Sequence, residues 1–455
     1  MFNRFMFPVV MVLAGCAASS VRDMPTRAQL SQSPLPPMKS FAATSARAPV
    51  RSNANIAADF LALHFELESG RELPAFTRFE QPITLRVTGA PPPNLQNDLS
   101  QLLGRLRSEA GINIRQVTDS NANITIEAVS RDEIRRALPQ AACFVVPNVS
   151  SLADFRHKRR KPETNWALLS ERRELGIFIP NDVSPQEVRD CLHEELAQAI
   201  GPLNDLYRLP DSVFNDDNVH TVLTGFDMLI LRTGYDPALR NGMTRDEVAK
   251  ALPGILARQN PRGVRVAARP VSKTPRSWIN ATQTALGPGA TQTQRRKAAK
   301  EATRIAQQQG WTDHRRAFSH YILGRMVQSG DPETAQQHYR SALYYLSQTP
   351  GTDLQAAYVV TQTAAYALAN GQPDEARQQI RPQLQVARRA ENAALLSTLM
   401  LLDAEALDLQ GQRDKAADVR LDSLGWARYG FGSDWAVRAR MQEVAALNPR
   451  QQLGG

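Results

Sequence analysis

The sequence predicts an α+β domain followed by an all-α domain of helical repeats. Between residues 80 and 130 the apolar residues switch between the period of two typical of strands and the period near 3.6 typical of helices. Beyond residue 276 a glycine-containing motif occurs three times in a region rich in Ala, Gln, Leu and Arg. A chain of 455 residues, 42% of them hydrophobic, is long enough to form both cores.

The first residues indicate export. Arg4 precedes an apolar run over residues 5–13, and residues 1–15 are predicted to be a signal peptide. The sequence Leu13-Ala-Gly-Cys16 resembles the lipobox of bacterial lipoproteins, which implies acylation of Cys16. Ala17 after that cysteine implies the outer membrane, facing the periplasm. The alternative is an ordinary secretory signal with an incidental cysteine.

Residues 16–55 are rich in Ser, Ala, Pro and Arg and contain hardly any aromatic residues. Such a composition buries too little apolar surface to fold, so this segment is predicted to be a flexible tether. We therefore expect the chain to contact the membrane through its lipid anchor.

The net charge of +9 and the pI of 9.7 raise nucleic acid as a partner. The basic runs at 156–161 and 262–276 lack interleaved aromatic residues, and an envelope protein does not meet nucleic acid. We expect no nucleic acid partner and interpret these runs as solvated loops or as surfaces near anionic lipids.

Residues 56–257 are predicted to form the α+β domain. Its first half reads as strand, helix, strand, strand, and residues 148–170 read as a long polar loop. The predicted elements are a helix at 56–65, a strand at 81–87, a helix at 94–110, and strands at 113–117, 122–128 and 174–180.

The helix that begins after Ser184 carries the candidate site. Ser184-Pro-Gln-Glu187 is a capping box, and a helical wheel places Glu195 at the half-buried edge of the apolar stripe. The same wheel places His193 on the solvent side. A carboxyl group among apolar neighbours has a raised pKa, so Glu195 is the candidate acid or base. The alternative is a hydrogen-bonded core carboxylate.

The residues from Glu194 to Asn204 resemble the metzincin motif HExxHxxGxxH/D with its metal ligands replaced. Glu194-Glu195-x-x-Gln198-x-x-Gly201-x-x-Asn204 keeps the glutamate and the glycine. The resemblance implies a zincin-like fold, Glu195 as general base, and a left-handed turn of the chain at Gly201. It also implies that the strand at 174–180 is the edge strand of the substrate cleft.

The candidate metal ligands in this motif are Glu194, Gln198, Asn204 and Asp205. Oxygen ligands of this kind suit Ca²⁺, Mg²⁺ or Mn²⁺ better than Zn²⁺. We expect no bound cofactor, with a divalent metal ion as the alternative.

The same region resembles a proteobacterial family of lipoproteins that contains a domain of unknown function. The residues that carry this resemblance are Cys191, Glu194, Glu195, Gln198, Gly201, Asn204, Asp205, Ser212, Phe214, Asn215, Asp216, Tyr235, Asp236, Pro237, Gly242 and Met243. The resemblance implies a fold and an envelope location but no activity.

The two cysteines that remain after Cys16 are expected to form a disulfide. Cys143 and Cys191 would both lie in the oxidising periplasm, where paired cysteines are the simplest outcome. The alternative is two buried free thiols.

Residues 258–275 are predicted to be a Pro/Arg linker, residues 276–447 a helical-repeat domain and residues 448–455 a tail. Gly330, Gly371 and Gly411 each precede a helix start, at spacings of 371 − 330 = 41 and 411 − 371 = 40 residues. This pattern resembles tetratricopeptide-like repeats, which implies a surface that binds an envelope protein or a peptide. A plain helical bundle is the alternative.

These features favour a non-catalytic interaction protein. The alternative is a metal-dependent periplasmic peptidase with substituted ligands and Glu195 as general base. Glycosidase chemistry is disfavoured because adjacent residues of a helix, Glu194 and Glu195, diverge by about 100° and cannot flank one bond.

Overall fold

The computed structural model of the protein describes residues 35–42, 46–270 and 272–452. The predicted signal peptide and the predicted acylation site Cys16 lie outside these residues. Within them no helix combines the length and the hydrophobicity needed to cross a bilayer. From Pro37 onward the chain belongs to one compact unit, so its α+β region and its helical region pack against each other.

A five-stranded sheet forms the centre of the α+β region, in the order β2-β1-β3-β5-β4. The neighbouring pairs are parallel except that β4 runs antiparallel to β5. The strands are β1 Ile83–Gly89, β2 Ile114–Gln116, β3 Ile124–Val129, β4 Phe144–Pro147 and β5 Leu175–Pro180. The predicted order of strand, helix, strand, strand is confirmed.

The expectation that the strand at 174–180 lies at the edge is wrong. β5 lies between β3 and β4, and β4 forms the edge instead. Every residue of β5 is buried, because β5 has a strand on either side and helices on both faces of the sheet. Such a position explains the continuous apolar run of this strand.

Seven helices surround the sheet. They are α1 Asn53–Phe65, α2 Leu95–Glu109, α3 Arg131–Ala137, α4 Leu152–Lys158, α5 Pro185–Ile200, α6 Gly225–Gly234 and α7 Arg245–Gln259. The apolar faces of α2, α5 and α6 share one core with the inward residues of β1, β3 and β5.

Four of these helices, including α3, which was not predicted, differ from the sequence-based expectation. The predicted loop at 148–170 contains α4, whose first turn is capped by the Ser151 side chain, followed by two short 3₁₀ turns. α1 begins at Asn53 rather than at residue 56, because Ser52 caps it. α7 was not predicted, although Thr244 and Glu247 form a complete capping box at its start.

The helical region consists of antiparallel helix pairs. The helices are α8 Arg276–Leu286, α9 Gln292–Gln308, α10 His314–Val327, α11 Pro332–Ser347, α12 Asp353–Ala369, α13 Pro373–Arg389, α14 Ala393–Leu409, α15 Arg413–Phe431, α16 Asp434–Ala445 and α17 Pro449–Gln452. Gly330, Gly371 and Gly411 lie in the turns within three successive pairs, as their spacing predicts. The alanine five residues after each glycine is completely buried between helices.

The segments predicted to be tether and linker contact the folded parts where the structure describes them. Phe41 stacks on Trp426 of α15 with ring centroids 4.5 Å apart. Asn55 of α1 exchanges two hydrogen bonds with the backbone of Arg269. The residues after α7 therefore run along α1 before α8 begins.

Candidate functional site

Helix α5 is the element around which the candidate site is built. Its N-terminus is capped by Ser184, whose hydroxyl accepts a hydrogen bond of 3.2 Å from the Glu187 backbone N–H. The predicted apolar stripe is confirmed, since Val188, Leu192, Leu196, Ala199 and Ile200 are all completely buried. This stripe packs α5 against the sheet.

A disulfide between Cys143 and Cys191 ties α5 to the residue that precedes β4. The two Cα atoms are 5.9 Å apart and 48 residues apart in sequence, so the expected pairing is confirmed. The bridge fixes the middle of α5 against the edge strand.

Glu195 lies deeper than the helical wheel predicts. Only 5% of the residue is exposed, and its Oε2 atom has no hydrogen-bond partner. Burial, together with the nearby Glu194 and Glu68 carboxylates, raises the pKa of Glu195 well above its usual range. Both effects favour the protonated form of this carboxyl group.

Glu195 belongs to a cluster of acidic side chains that the fold brings together. Burial and the charges of Glu68 and Asp216 raise the pKa of Glu194 to about 8. Burial and the charges of Glu194, Glu68 and Asp216 raise the pKa of Asp205 well above its usual range, and its Oδ1 atom has no hydrogen-bond partner. Each ionised carboxylate in a buried site raises the pKa of its neighbours, because placing several negative charges close together costs free energy.

Two of the candidate ligands have other uses. The Asn204 side chain donates a hydrogen bond of 3.0 Å to the Ala62 carbonyl and so holds the end of α1. Gln198 contributes its backbone carbonyl to a contact with Arg172. Among the described residues, no group of three or more His, Cys, Asp or Glu side chains has the arrangement needed to hold a metal ion.

The prediction that His193 faces solvent is wrong. Only 4% of the residue is exposed, and its Nδ1 atom accepts a hydrogen bond of 3.2 Å from the Leu223 backbone N–H. Burial, followed by the positive charges of Arg189 and Arg105, lowers the pKa of His193 well below its usual range. The helical wheel assumes that the face of α5 opposite the sheet is open to solvent. In the structure, the chain just before α6 covers that face.

The expectation of a left-handed Gly201 is also wrong, since its φ is −150°. Close packing favours a glycine there instead. A Cβ atom at this position would lie 2.7 Å from Cδ2 of Leu231 on α6. A side chain at residue 201 would therefore require the Leu231 side chain to shift.

Arg172 is a site residue that the sequence did not reveal. Its buried guanidinium donates hydrogen bonds to the backbone carbonyls of Gln198, Ala199 and Gly201, at 2.7, 2.7 and 2.5 Å. Burial lowers its pKa to about 10, so it remains charged at neutral pH. Arg172 satisfies carbonyls that the end of α5 leaves without helical partners. Arg172 follows a polar stretch of sequence, so nothing local distinguishes it from a solvent-exposed arginine.

The outer part of α5 is covered by the helical region. Arg189 forms a buried ion pair of 3.1 Å with Glu391, which lies just before α14, and also donates to the Glu391 carbonyl. Gln186 exchanges hydrogen bonds with the start of α14, through Asn392 and the Ala394 backbone N–H. α5 is therefore an internal packing element between the two regions.

The loop after α5 is covered in the same way. The Tyr207 hydroxyl donates a hydrogen bond of 2.7 Å to Asp216, and its ring makes an edge-to-face contact with Trp278 of α8. His314 of α10 lies with its Nε2 atom 2.8 Å from the Tyr207 carbonyl. Gln355 of α12 donates to the Pro210 carbonyl at 2.6 Å. The segment that follows Gly201 is thus held by helices α8, α10 and α12.

Two cavities lie where the regions meet. One, of 470 Å³, is bounded by the end of α1, by residues 204–208 and by residues 273–279; it contains Asp205 and Glu68 together with several basic side chains. The other, of 220 Å³, lies between residues 217–219 and helices α10–α12. We call this second cavity the junction pocket. Its lining residues are Asp217, Asn218, Val219, Leu286, His314, Ala317, Phe318, Tyr321, Arg325, Leu346, Gln355, Tyr358 and Val359.

Comparison with known proteins identifies a family for the α+β region alone. Residues 53–254 match the model of a family described as "Protein of unknown function (DUF2927)". The match agrees with the family of unknown function indicated by the sequence motifs. Searches of curated proteins and of solved structures each found no match.

Proposed function

We propose that the protein is an envelope lipoprotein in which a zincin-like, non-catalytic domain supports a helical-repeat region that binds another envelope protein or a peptide. The observation that carries this proposal is the burial of α5 between the two regions, through the Arg189–Glu391 ion pair. A catalytic helix must present its polar residues to a substrate. Here Gln186 and Arg189 of α5 contact the helical region instead.

The protonation of the site supports the same conclusion. A general base must be ionised near the working pH, and it must reach the proton that it accepts. Burial and neighbouring carboxylates raise the pKa of Glu195 well above its usual range, which disfavours the ionised form that a general base needs.

The element order supports the zincin-like part of the proposal. The strand, helix, strand, strand order is followed by α5, with its Glu-Glu-x-x-Gln-x-x-Gly sequence, and later by α6. Thr224 and Asp227 form a complete capping box at the start of α6, and Tyr235 is its C-cap residue.

The junction pocket supports the binding part. Its lining combines aromatic and aliphatic side chains with Arg325 and Asp217, and it opens between helices of the repeat region. Sites that bind small molecules or peptide side chains are concave, mostly apolar and contain a few polar groups. A volume of 220 Å³ suits one or two amino-acid side chains.

Site-specific photocrosslinking in living cells tests the binding role. A benzophenone amino acid at Leu286, which lines the junction pocket, is expected to give a defined crosslinked product. The same probe at Leu421, an exposed residue of α15, serves as the matched control. The product must disappear when Tyr321→Ala alters the pocket and persist in Glu195→Gln. Equal products at both positions would contradict the proposal.

A metal-dependent peptidase with Glu195 as general base is the second candidate. One observation favours it: Glu195 and Asp205 each keep a buried carboxylate oxygen without a partner. A cation bound there would ionise both groups. Metal analysis of the protein purified without chelators, beside a Glu194→Ala, Gln198→Ala double variant, distinguishes the candidates. Stoichiometric metal that the double variant loses, with peptide cleavage that Glu195→Gln abolishes, would replace the binding role by catalysis.

The proposed location is tested independently. A Cys16→Ser variant is expected to lose incorporation of labelled fatty acid and to move from the outer-membrane fraction to the soluble periplasm. Retention of the variant in the membrane fraction would refute anchoring through Cys16.

A further inference from the structure

Two histidines of the helical region form a close pair away from α5. His320 on α10 and His338 on α11 have their Nδ1 atoms 3.1 Å apart, and their ring centroids are 5.3 Å apart. Both side chains are half-buried. Two N–H groups cannot face each other at this distance, so at least one Nδ1 atom presents a lone pair toward the other.

The separation of the two nitrogens fits a shared metal ion. Imidazole nitrogens bind such ions at about 2.0–2.1 Å, so nitrogens 3.1 Å apart subtend an angle of about 100° at the metal. This angle lies between the square-planar and the tetrahedral values of about 90° and 109°. The distance between the two nitrogens therefore suits a shared cation.

The surroundings hold the pair in place. The His320 ring stacks on Tyr345 of α11, with an interplanar angle of 11° and centroids 5.8 Å apart. The two helices share a small core that includes Ala317, Tyr339 and Ala342. The relative position of the imidazoles is therefore fixed by the packing of α10 against α11, and little side-chain entropy is lost on binding.

We propose that His320 and His338 form a two-histidine site for a transition-metal cation that prefers imidazole ligands, with Cu²⁺ bound more tightly than Zn²⁺. The order follows from the general preference of nitrogen sites for Cu²⁺. The remaining coordination positions are filled by water or by a donor from a binding partner. The site is independent of the function proposed for α5 and the junction pocket.

Arg316 opposes this site and so provides a sensitive test. Its guanidinium carbon lies 4.5 Å from the centre of the Tyr345 ring, the same ring on which His320 stacks. Because Arg316 and His320 contact the same ring, the positive charge of Arg316 lies near the site and repels an incoming cation. Removing the charge should strengthen binding without touching either ligand.

The experiment is a calorimetric titration of the full chain with Cu²⁺ and with Zn²⁺ in the absence of chelators. We expect one Cu²⁺ per chain and an electron paramagnetic resonance spectrum with coupling to two nitrogens. His320→Gln and His338→Gln should each weaken binding at least about tenfold. His157→Gln removes an exposed histidine of α4 and should leave binding unchanged.

Arg316→Gln keeps both histidines and is expected to bind Cu²⁺ several-fold more tightly. It decides the question even if a histidine variant fails to fold, which circular dichroism would show. Copper binding that is absent in the unaltered chain, that shows no nitrogen coupling, or that persists in both histidine variants would overturn the proposal. The pair would then be a proton-sharing contact between two helices.

Discussion

Replacing Arg189 by methionine tests whether α5 holds the two regions together. Methionine keeps most of the length and apolar volume of the arginine side chain but removes its charge. The change deprives Glu391 of its ion pair with α5 and of the hydrogen bond from Arg189 to its carbonyl. It also removes the guanidinium that lies 5.5 Å from the centre of the Phe41 ring.

The magnitude follows from the burial of the pair. The Arg189 and Glu391 side chains are only 4% and 8% exposed, so water cannot replace the lost partner without opening the interface. Removing one member of a buried ion pair costs about 3–5 kcal/mol. Adding Glu391→Gln to the variant removes the remaining charge, and we expect the double variant to recover about 2 kcal/mol of that loss.

Urea denaturation followed by circular dichroism measures these free energies of unfolding. The matched control is Arg131→Met. Arg131 of α3 pairs with Glu187 of α5, the helix that also carries Arg189, but both side chains of this pair are more than one-third exposed. Exposed pairs contribute about 0–1 kcal/mol. If Arg189→Met costs no more than Arg131→Met, the idea that this ion pair fixes the docking of α5 is refuted.

Three further predictions concern the site. Cys143→Ala with Cys191→Ala opens a 48-residue loop and should lower the free energy of unfolding by about 4 kcal/mol. Arg172→Met leaves the last carbonyls of α5 without donors and should cost about 3 kcal/mol, a loss that Arg172→Lys restores only in part. Relative to Glu194→Gln, the unaltered chain should lose stability as pH rises from about 4.5 to about 8, because folding raises the pKa of Glu194 and the folded state then binds more protons at this group than the unfolded state does.

Each of these predictions has its own control. For the disulfide, the unaltered chain under reducing conditions should match the double alanine variant, and equal stability with and without reductant would contradict the expected contribution. For Arg172, the neighbouring exposed Arg173→Met should be nearly neutral. For the pH profile, a difference in stability between the unaltered chain and Glu194→Gln that stays constant from pH 5 to pH 8 would contradict the raised pKa of Glu194.

Much of the fold could be predicted because its signals are local. The alternation of β1 and β3, the stripe of α2, the Ser184 cap of α5 and the glycines of the helix pairs each lie within a short stretch of sequence. β4 could not be predicted in this way, since Phe144–Pro147 is a short apolar run that is buried throughout and shows no alternation. α3 was missed although Ser130 and Glu133 form a capping box, the one local signal that marks its start.

The candidate site could be predicted only in part. Glu195 was identified because a carboxylate at the edge of an apolar stripe is visible in the sequence. Its depth, and the burial of His193, depend on segments that are distant in sequence, namely the chain before α6 and the helical region. A helical wheel assumes one covered face, whereas α5 is covered on several sides.

The buried charge on α5 specifies one docking geometry. Buried ion pairs contribute little net stability compared with apolar contacts of similar volume. However, a buried guanidinium and a buried carboxylate can hydrogen-bond to each other in only a few relative positions of the two regions. The junction pocket needs such a fixed position, because residues 217–219 form one wall and helices α10–α12 form the others. Neither region builds this cavity alone. In the binding role that we propose, the polar residues of α5 hold the two walls in register.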